Sequence, residues 1–131
     1  MEKYVKYHHR ENGVHEYVWL SSYRETIDKY IPMLRQMNDN AKSGDTLLVL
    51  HDFSRTIAPP FNLLRARGSD TRIRDDVMYK VAYISNPVNR YVIKSFIATG
   101  RFEADRCFFD IGERDLAVNW LQGKIEQAFV S

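Results

Sequence analysis

The sequence predicts an α/β fold: a mixed β-sheet that opens with an antiparallel hairpin, continues in parallel strands and carries about four helices, in the order ββαβαβαβα. Three observations predict it. Asn12-Gly13 lies between two β-rich runs, Tyr4–Arg10 and His15–Leu20, and that dipeptide suits the positive φ angles of a tight hairpin turn. Three further short apolar runs, Thr46–Leu50, Tyr79–Ile84 and Cys107–Phe109, read as buried strands. Helical apolar spacing alternates with them, which argues for parallel strands after the hairpin. The 131 residues contain no repeat or long linker, so residues 1–131 read as a single domain.

Each element has its own signals. With Asn12-Gly13 as a two-residue loop, Tyr7 faces Val18 and Val5 faces Leu20, which makes Val5, Tyr7, Val18 and Leu20 the core layer. The opposite layer then holds Tyr4, Lys6, His8, Arg10, His15, Tyr17 and Trp19. Ser22 and Glu25 have capping-box spacing, and Tyr23, Ile27, Tyr30, Ile31, Leu34 and Met37 follow as one apolar stripe. Pro32 falls inside that stripe and predicts a bent helix rather than two. A second helix is expected from about Pro60, with Phe61, Leu64 and Ile73 packing inward. The segment Arg65–Asp76 mixes arginines with aspartates and reads as a solvated face. Asn86-Pro87 caps a third helix whose inner stripe is Val88, Tyr91, Val92, Phe96 and Ile97, closed by Gly100. Glu113 to about Ala128 forms the last helix, with Leu116, Ala117, Trp120, Leu121 and Ile125 inward.

Composition removes several function classes. Lys and Arg number 19 against 17 Asp and Glu, a net charge of +2, which is no basis for nucleic-acid binding. No apolar run reaches the roughly 20 residues of a membrane span, and the opening residues lack an apolar signal core. One cysteine, Cys107, sits in an apolar strand as a buried thiol, and the cytoplasm is the expected location. No phosphate-cradling glycine loop, paired-cysteine motif or zinc-protease motif is present, so no cofactor or metal is expected. His8 and His15 are read on one face, but two histidines alone make a poor zinc site.

The expected strand ends supply the candidate ligand-binding residues His51, Asp52, Ser54, Arg55, Ser85, Asn86 and Asp110. His51 and Asp52 are adjacent, so they point to opposite faces if the strand continues, and no G-x-S-x-G turn exposes a serine. Helix capping and turn closure are the favoured roles of this set. Tyr4, His8, Tyr17 and Trp19 are candidate interface residues, either covered by a helix or forming an aromatic self-association patch.

Leu47-Leu48-Val49-Leu50-His51-Asp52-Phe53-Ser54 and the closing Ala117-Val118-Asn119-Trp120-Leu121, in this element order, resemble the STAS/SpoIIAA-like domains. Glu113-Arg114-Asp115 resembles the acidic helix start of that group's uncharacterised branch, and the resemblance covers most of the chain after Tyr17. It implies a non-enzymatic regulatory or protein-interaction module, expected here as a homodimer. A small or lipidic ligand at the strand ends is the alternative. The phosphoacceptor turn that the family's anti-sigma-factor antagonists carry is replaced by Ala58-Pro59-Pro60-Phe61-Asn62, with Ser54 and Thr56 just upstream.

Overall fold

The computed structural model describes residues 2–56, 71–99 and 103–125. These residues form five strands, β1 (Val5–His9), β2 (Val14–Trp19), β3 (Thr46–Asp52), β4 (Met78–Ile84) and β5 (Asp105–Phe109), and three helices, α1 (Arg24–Asn40), α2 (Pro87–Thr99) and α3 (Arg114–Leu121). The sheet order is β1-β2-β3-β4-β5, with β1 antiparallel to β2 and every later pair parallel. The predicted mixed sheet is therefore present. The helix expected from Pro60, the altered turn at residues 58–62 and Gly100 lie outside the described residues.

The hairpin turns over three residues rather than two. Gly13 N–H donates to Arg10 O at 3.0 Å, Arg10 N–H donates to Val14 O at 2.9 Å, and Gly13 has φ +88°. Asn12 Oδ1 accepts from Val14 N–H inside the turn. This is a turn followed by a left-handed residue, the usual three-residue hairpin loop. The extra loop residue shifts the pairing by one, so Tyr7 lies opposite Tyr17 and Val5 opposite Trp19. A shift of one turns every β2 side chain to the other face. His15, Tyr17 and Trp19 consequently join Val5 and Tyr7 in the layer under α1, and His8 is separated from His15.

Both faces of the sheet are packed. One core holds Tyr17, Trp19, Val49, Phe53, Val81 and Tyr83 against Ile27, Tyr30, Ile31 and Leu34 of α1 and Ile93 of α2. The other holds Val14, Leu50, Ala82, Cys107 and Phe109 against Ala117, Trp120 and Leu121 of α3. When parallel strands advance one place at a time, right-handed crossovers put the connecting helices on one face. α1 and α2 share that face, and α3, following the last strand, covers the other.

α1 begins one residue after Tyr23, not at Ser22. Thr26 Oγ1 accepts the Tyr23 N–H at 3.1 Å and meets Ser21 Oγ at 2.6 Å, so Thr26 performs the reciprocal capping expected of Glu25. Tyr23 itself is exposed, and Pro32 lies inside a single helix. The other helix end draws on the arginine-rich segment. Arg74 donates to Asn38 O at 3.0 Å and to Ala41 O, and two further bonds hold it to Asp76. A cation on the last carbonyls complements the helix dipole. Arg74 is thus a helix cap rather than part of a solvated face, while Ile73 is exposed instead of packed.

α2 is rotated from its expected orientation. Asn89 and Ile93 are buried, whereas Val88, Tyr91 and Val92 are exposed. Asn86 Oδ1 takes the Asn89 N–H at 2.7 Å, as the predicted cap requires. α3 is shorter than expected. Gly123 N–H donates to Trp120 O at 3.1 Å and Lys124 N–H to Asn119 O at 2.9 Å, with Gly123 at φ +75°. That pair of bonds is the Schellman stop, which ends the helix at Leu121.

α3 is tied to the hairpin at both ends. Gln122 Nε2 donates to Asn12 O at 3.2 Å. At the start, Arg114 makes two bonds to the Glu16 carboxylate, at 3.0 and 2.9 Å, and Arg10 adds a third at 2.8 Å. Glu16 is only 2% exposed. Burial pushes its carboxyl upward, but the two guanidinium groups outweigh this and hold it below the ordinary value. Glu16→Gln should therefore lower the unfolding free energy by about 1–3 kcal/mol at pH 7, measured by urea denaturation. A depressed carboxyl contributes stability above its unfolded pKa and loses it as pH falls through the native one. The difference between wild type and variant should accordingly shrink below about pH 4.

Candidate functional site

The register places one ring from every strand in a single row: Tyr7, Tyr17, His51, Tyr83 and Phe108. Successive centroids are 5.0, 5.4, 5.6 and 5.0 Å apart, and the last three contacts are stacked within 23°. Trp19 and Phe53 form a second stacked pair beside His51, and Tyr30 of α1 meets His51 edge-on at 6.1 Å. His51 is half-buried at the centre of this layer.

Trp19 settles the protonation of His51. The indole Nε1–H donates to His51 Nδ1 at 3.1 Å. Indole is a donor only, so Nδ1 carries a lone pair and the imidazole proton resides on Nε2. Burial, with the charge of Arg106 as a smaller contribution, lowers the His51 pKa to about 3. Arg106 Nε–H also donates to the Tyr83 hydroxyl at 3.3 Å. Burial raises the Tyr30 and Tyr83 phenols above their ordinary value, so both remain protonated near neutral pH.

The strand-end candidates do not converge. β3 continues through Asp52, which puts His51 on the α1 face and Asp52 on the α3 face. Asp52 Oδ1 accepts the Ser54 N–H at 2.9 Å, closing a local turn, and Ser54 and Arg55 are exposed. Asn86 is committed to capping α2. Asp110 pairs with Arg90 of α2, and its N–H donates to Glu113 Oε1 at 2.7 Å. Ser85 is fully buried, and its hydroxyl lacks a hydrogen-bond partner among the described residues. Among the described residues the strand order does not reverse, so these five strands do not form the crevice of a doubly wound fold.

The interface set divides as well. Tyr17 and Trp19 are 0% and 2% exposed, as the shifted hairpin register requires, and they offer no surface patch. His8 is exposed on the opposite face, and Tyr4 is half-buried. His15 instead stacks on His9 at 4.0 Å and meets the Tyr7 hydroxyl at 2.7 Å. Burial, reinforced by His9, lowers its pKa to about 4. Cys107 is buried in the α3-side core.

Glu16, Tyr30, Tyr83 and Arg106 are the site residues that sequence reasoning missed. A carboxylate inside the β-rich run His15–Leu20 was the available signal for Glu16. The other three are brought to His51 by strand register and by α1 packing, which no local spacing records.

These elements define the class: an α/β protein with a singly wound mixed sheet packed on both faces. No protein-family model, curated protein or solved structure matches the chain. No described helix is long and apolar enough to cross a membrane.

The Trp19 bond makes a direct spectroscopic prediction. Nitrogen-15 shifts of His51 should show a neutral ring protonated at Nε2 from pH 7.5 down to 5. Because the native pKa lies below the unfolded value of 6.5, His51 withdraws stability as pH falls from about 6.5 toward 3. Replacing it in His51→Phe should flatten the acid limb of the stability curve, measured by thermal unfolding across that window.

Proposed function

We propose that this chain is a non-enzymatic binding module of the STAS/SpoIIAA-like kind, acting through contact with a partner or ligand rather than through turnover. The observation carrying this reading is the separation of His51 from Asp52 by the sheet. A general base needs its carboxylate behind the imidazole and the hydroxyl to be activated in front. Here Nδ1 is occupied by Trp19, and Asp52 serves a turn on the other face. Asn86 and Asp110 likewise have capping and ion-pair duties. Incubation with p-nitrophenyl acetate and p-nitrophenyl phosphate tests this. Wild type should match buffer, whereas turnover abolished by His51→Ala would overturn the reading.

Self-association is the partner contact we propose, now carried by α2 rather than the hairpin. Val88 and Tyr91 are 73% and 75% exposed, and Val92 lies on the same strip at helical spacing. Sedimentation velocity should show a dimer that Tyr91→Glu converts to monomer. A wild type that stays monomeric at high micromolar concentration contradicts this contact and leaves the non-catalytic reading to its own test.

A further inference from the structure

We propose that the outer edge of β1, from Lys6 to Arg10, takes up an extended acidic segment of a partner protein as an added strand. This surface rests on the binding-module reading and supplies its partner. β1 is an edge strand, paired among the described residues to β2 alone. The bonds at the two ends of that pairing fix which backbone groups are left over. Leu20 N–H donates to Tyr4 O at 2.8 Å and Arg10 N–H to Val14 O at 2.9 Å, so Tyr4, Lys6, His8 and Arg10 turn their backbone groups toward β2. Tyr7 and His9 turn theirs outward, where they meet no partner among the described residues. His9 is exposed and Tyr7 half-buried. The start of the strand is closed instead: Glu2 accepts the Lys3 and Tyr4 N–H groups at 3.1 and 3.0 Å, and Val5 is fully buried.

The side chains decide what kind of strand fits. Lys6, His8 and Arg10 alternate on the face opposite Tyr7, and all three are exposed. Arg10 is paired with Glu16, a carboxylate it shares with Arg114, whereas Lys6 has no ion pair among the described residues. Residues directly opposite across a ladder share a face, so a strand laid along β1 brings every second side chain against this basic row. Opposite charges there stabilise the pairing and like charges oppose it. A second copy of β1 offers no countercharge: paired antiparallel about Tyr7 it sets Lys6 against His8, and about His9 it sets His8 against Arg10. An acidic strand meets Lys6 with a carboxylate instead. On the other face Tyr7 ends the row of rings, with Tyr17 as its inner neighbour at 5.0 Å. An apolar or aromatic residue opposite Tyr7 continues that row. The fitting partner therefore alternates acidic with apolar residues, a pattern that strand addition reads through main-chain bonds and every second side chain.

Fluorescence anisotropy on the full chain would use a short dye-labelled peptide alternating glutamate with valine or phenylalanine. One control gathers the glutamates into a block, and another carries lysine in place of each glutamate. The alternating acidic peptide should bind about tenfold or more tightly than either control. Lys6→Glu, on the exposed face, should weaken it by a similar factor without touching the backbone. His9→Pro removes an outward N–H that β2 does not use, and should abolish binding while thermal unfolding shows the fold intact. Bound peptide should slow hydrogen exchange at the Tyr7 and His9 amides. Equal binding of the acidic peptide and its controls, no effect of Lys6→Glu, exchange at Tyr7 and His9 unchanged on binding, or no binding by the acidic peptide would overturn the proposal. A dimer of the chain that His9→Pro dissociates would overturn it in favour of a second copy. Those results reject the β1 partner alone. Ester turnover dependent on His51 rejects the binding-module reading instead.

Discussion

The row of rings across all five strands is the constraint on which the remaining arrangement depends. Tyr7, Tyr17, His51, Tyr83 and Phe108 share one register line, so each strand is aligned to its neighbour by a ring contact as well as by backbone hydrogen bonds. Aromatic pairs contribute about 0.5–1.5 kcal/mol beyond their buried area. Four such contacts weigh heavily against the 5–15 kcal/mol that usually separates folded from unfolded chains. A one-residue slip at any strand would send its ring to the opposite face and leave the row interrupted. The three-residue hairpin loop belongs to the same constraint, because only that loop length brings Tyr17 opposite Tyr7.

Holding a histidine in this row has an electrostatic consequence. A charged imidazole among stacked rings and beside Arg106 would be costly, and Trp19 removes the need for charge by donating to Nδ1. The two faces of the sheet therefore have distinct chemistry. The α1 face is aromatic, with a neutral histidine, Arg106 beside it and the Lys94 ammonium over the Phe108 ring. The α3 face manages its charges by pairing, with Glu16 held by Arg10 and Arg114. Lys80 on that face donates to Trp120 O at 2.7 Å, and its ammonium lies over the Trp120 ring. These charges on the α3 face serve to anchor α3.

Much of the fold was legible because its signals are local. The strand runs kept their type, with β4 ending at Ile84 as expected and β3 running two residues past Leu50 to Asp52, and the Asn86 cap and Pro87 start of α2 stand where local chemistry put them. The misplaced features each depend on a longer-range choice. Asn12-Gly13 marks a turn but permits more than one loop length, and the choice decided the faces of Tyr17 and Trp19. On α2 two apolar stripes overlap, and burial of Asn89 with Ile93 selected the less apolar one. Asn89 Nδ2 bonds to Thr56 O, a partner 33 residues away that no periodicity reveals. The candidate site shares this division: the opposition of His51 and Asp52 follows from strand alternation, whereas the donor on His51 lies 32 residues earlier in the chain.

Hydrogen exchange at the Trp19 indole tests the central claim most directly. If Trp19 Nε1–H is locked to His51 inside the ring layer, it should exchange only through global unfolding, at the pace of the slowest β3 amides. Exchange many-fold faster than those amides, under conditions where the sheet remains folded, would contradict the locked row and the neutral histidine at its centre.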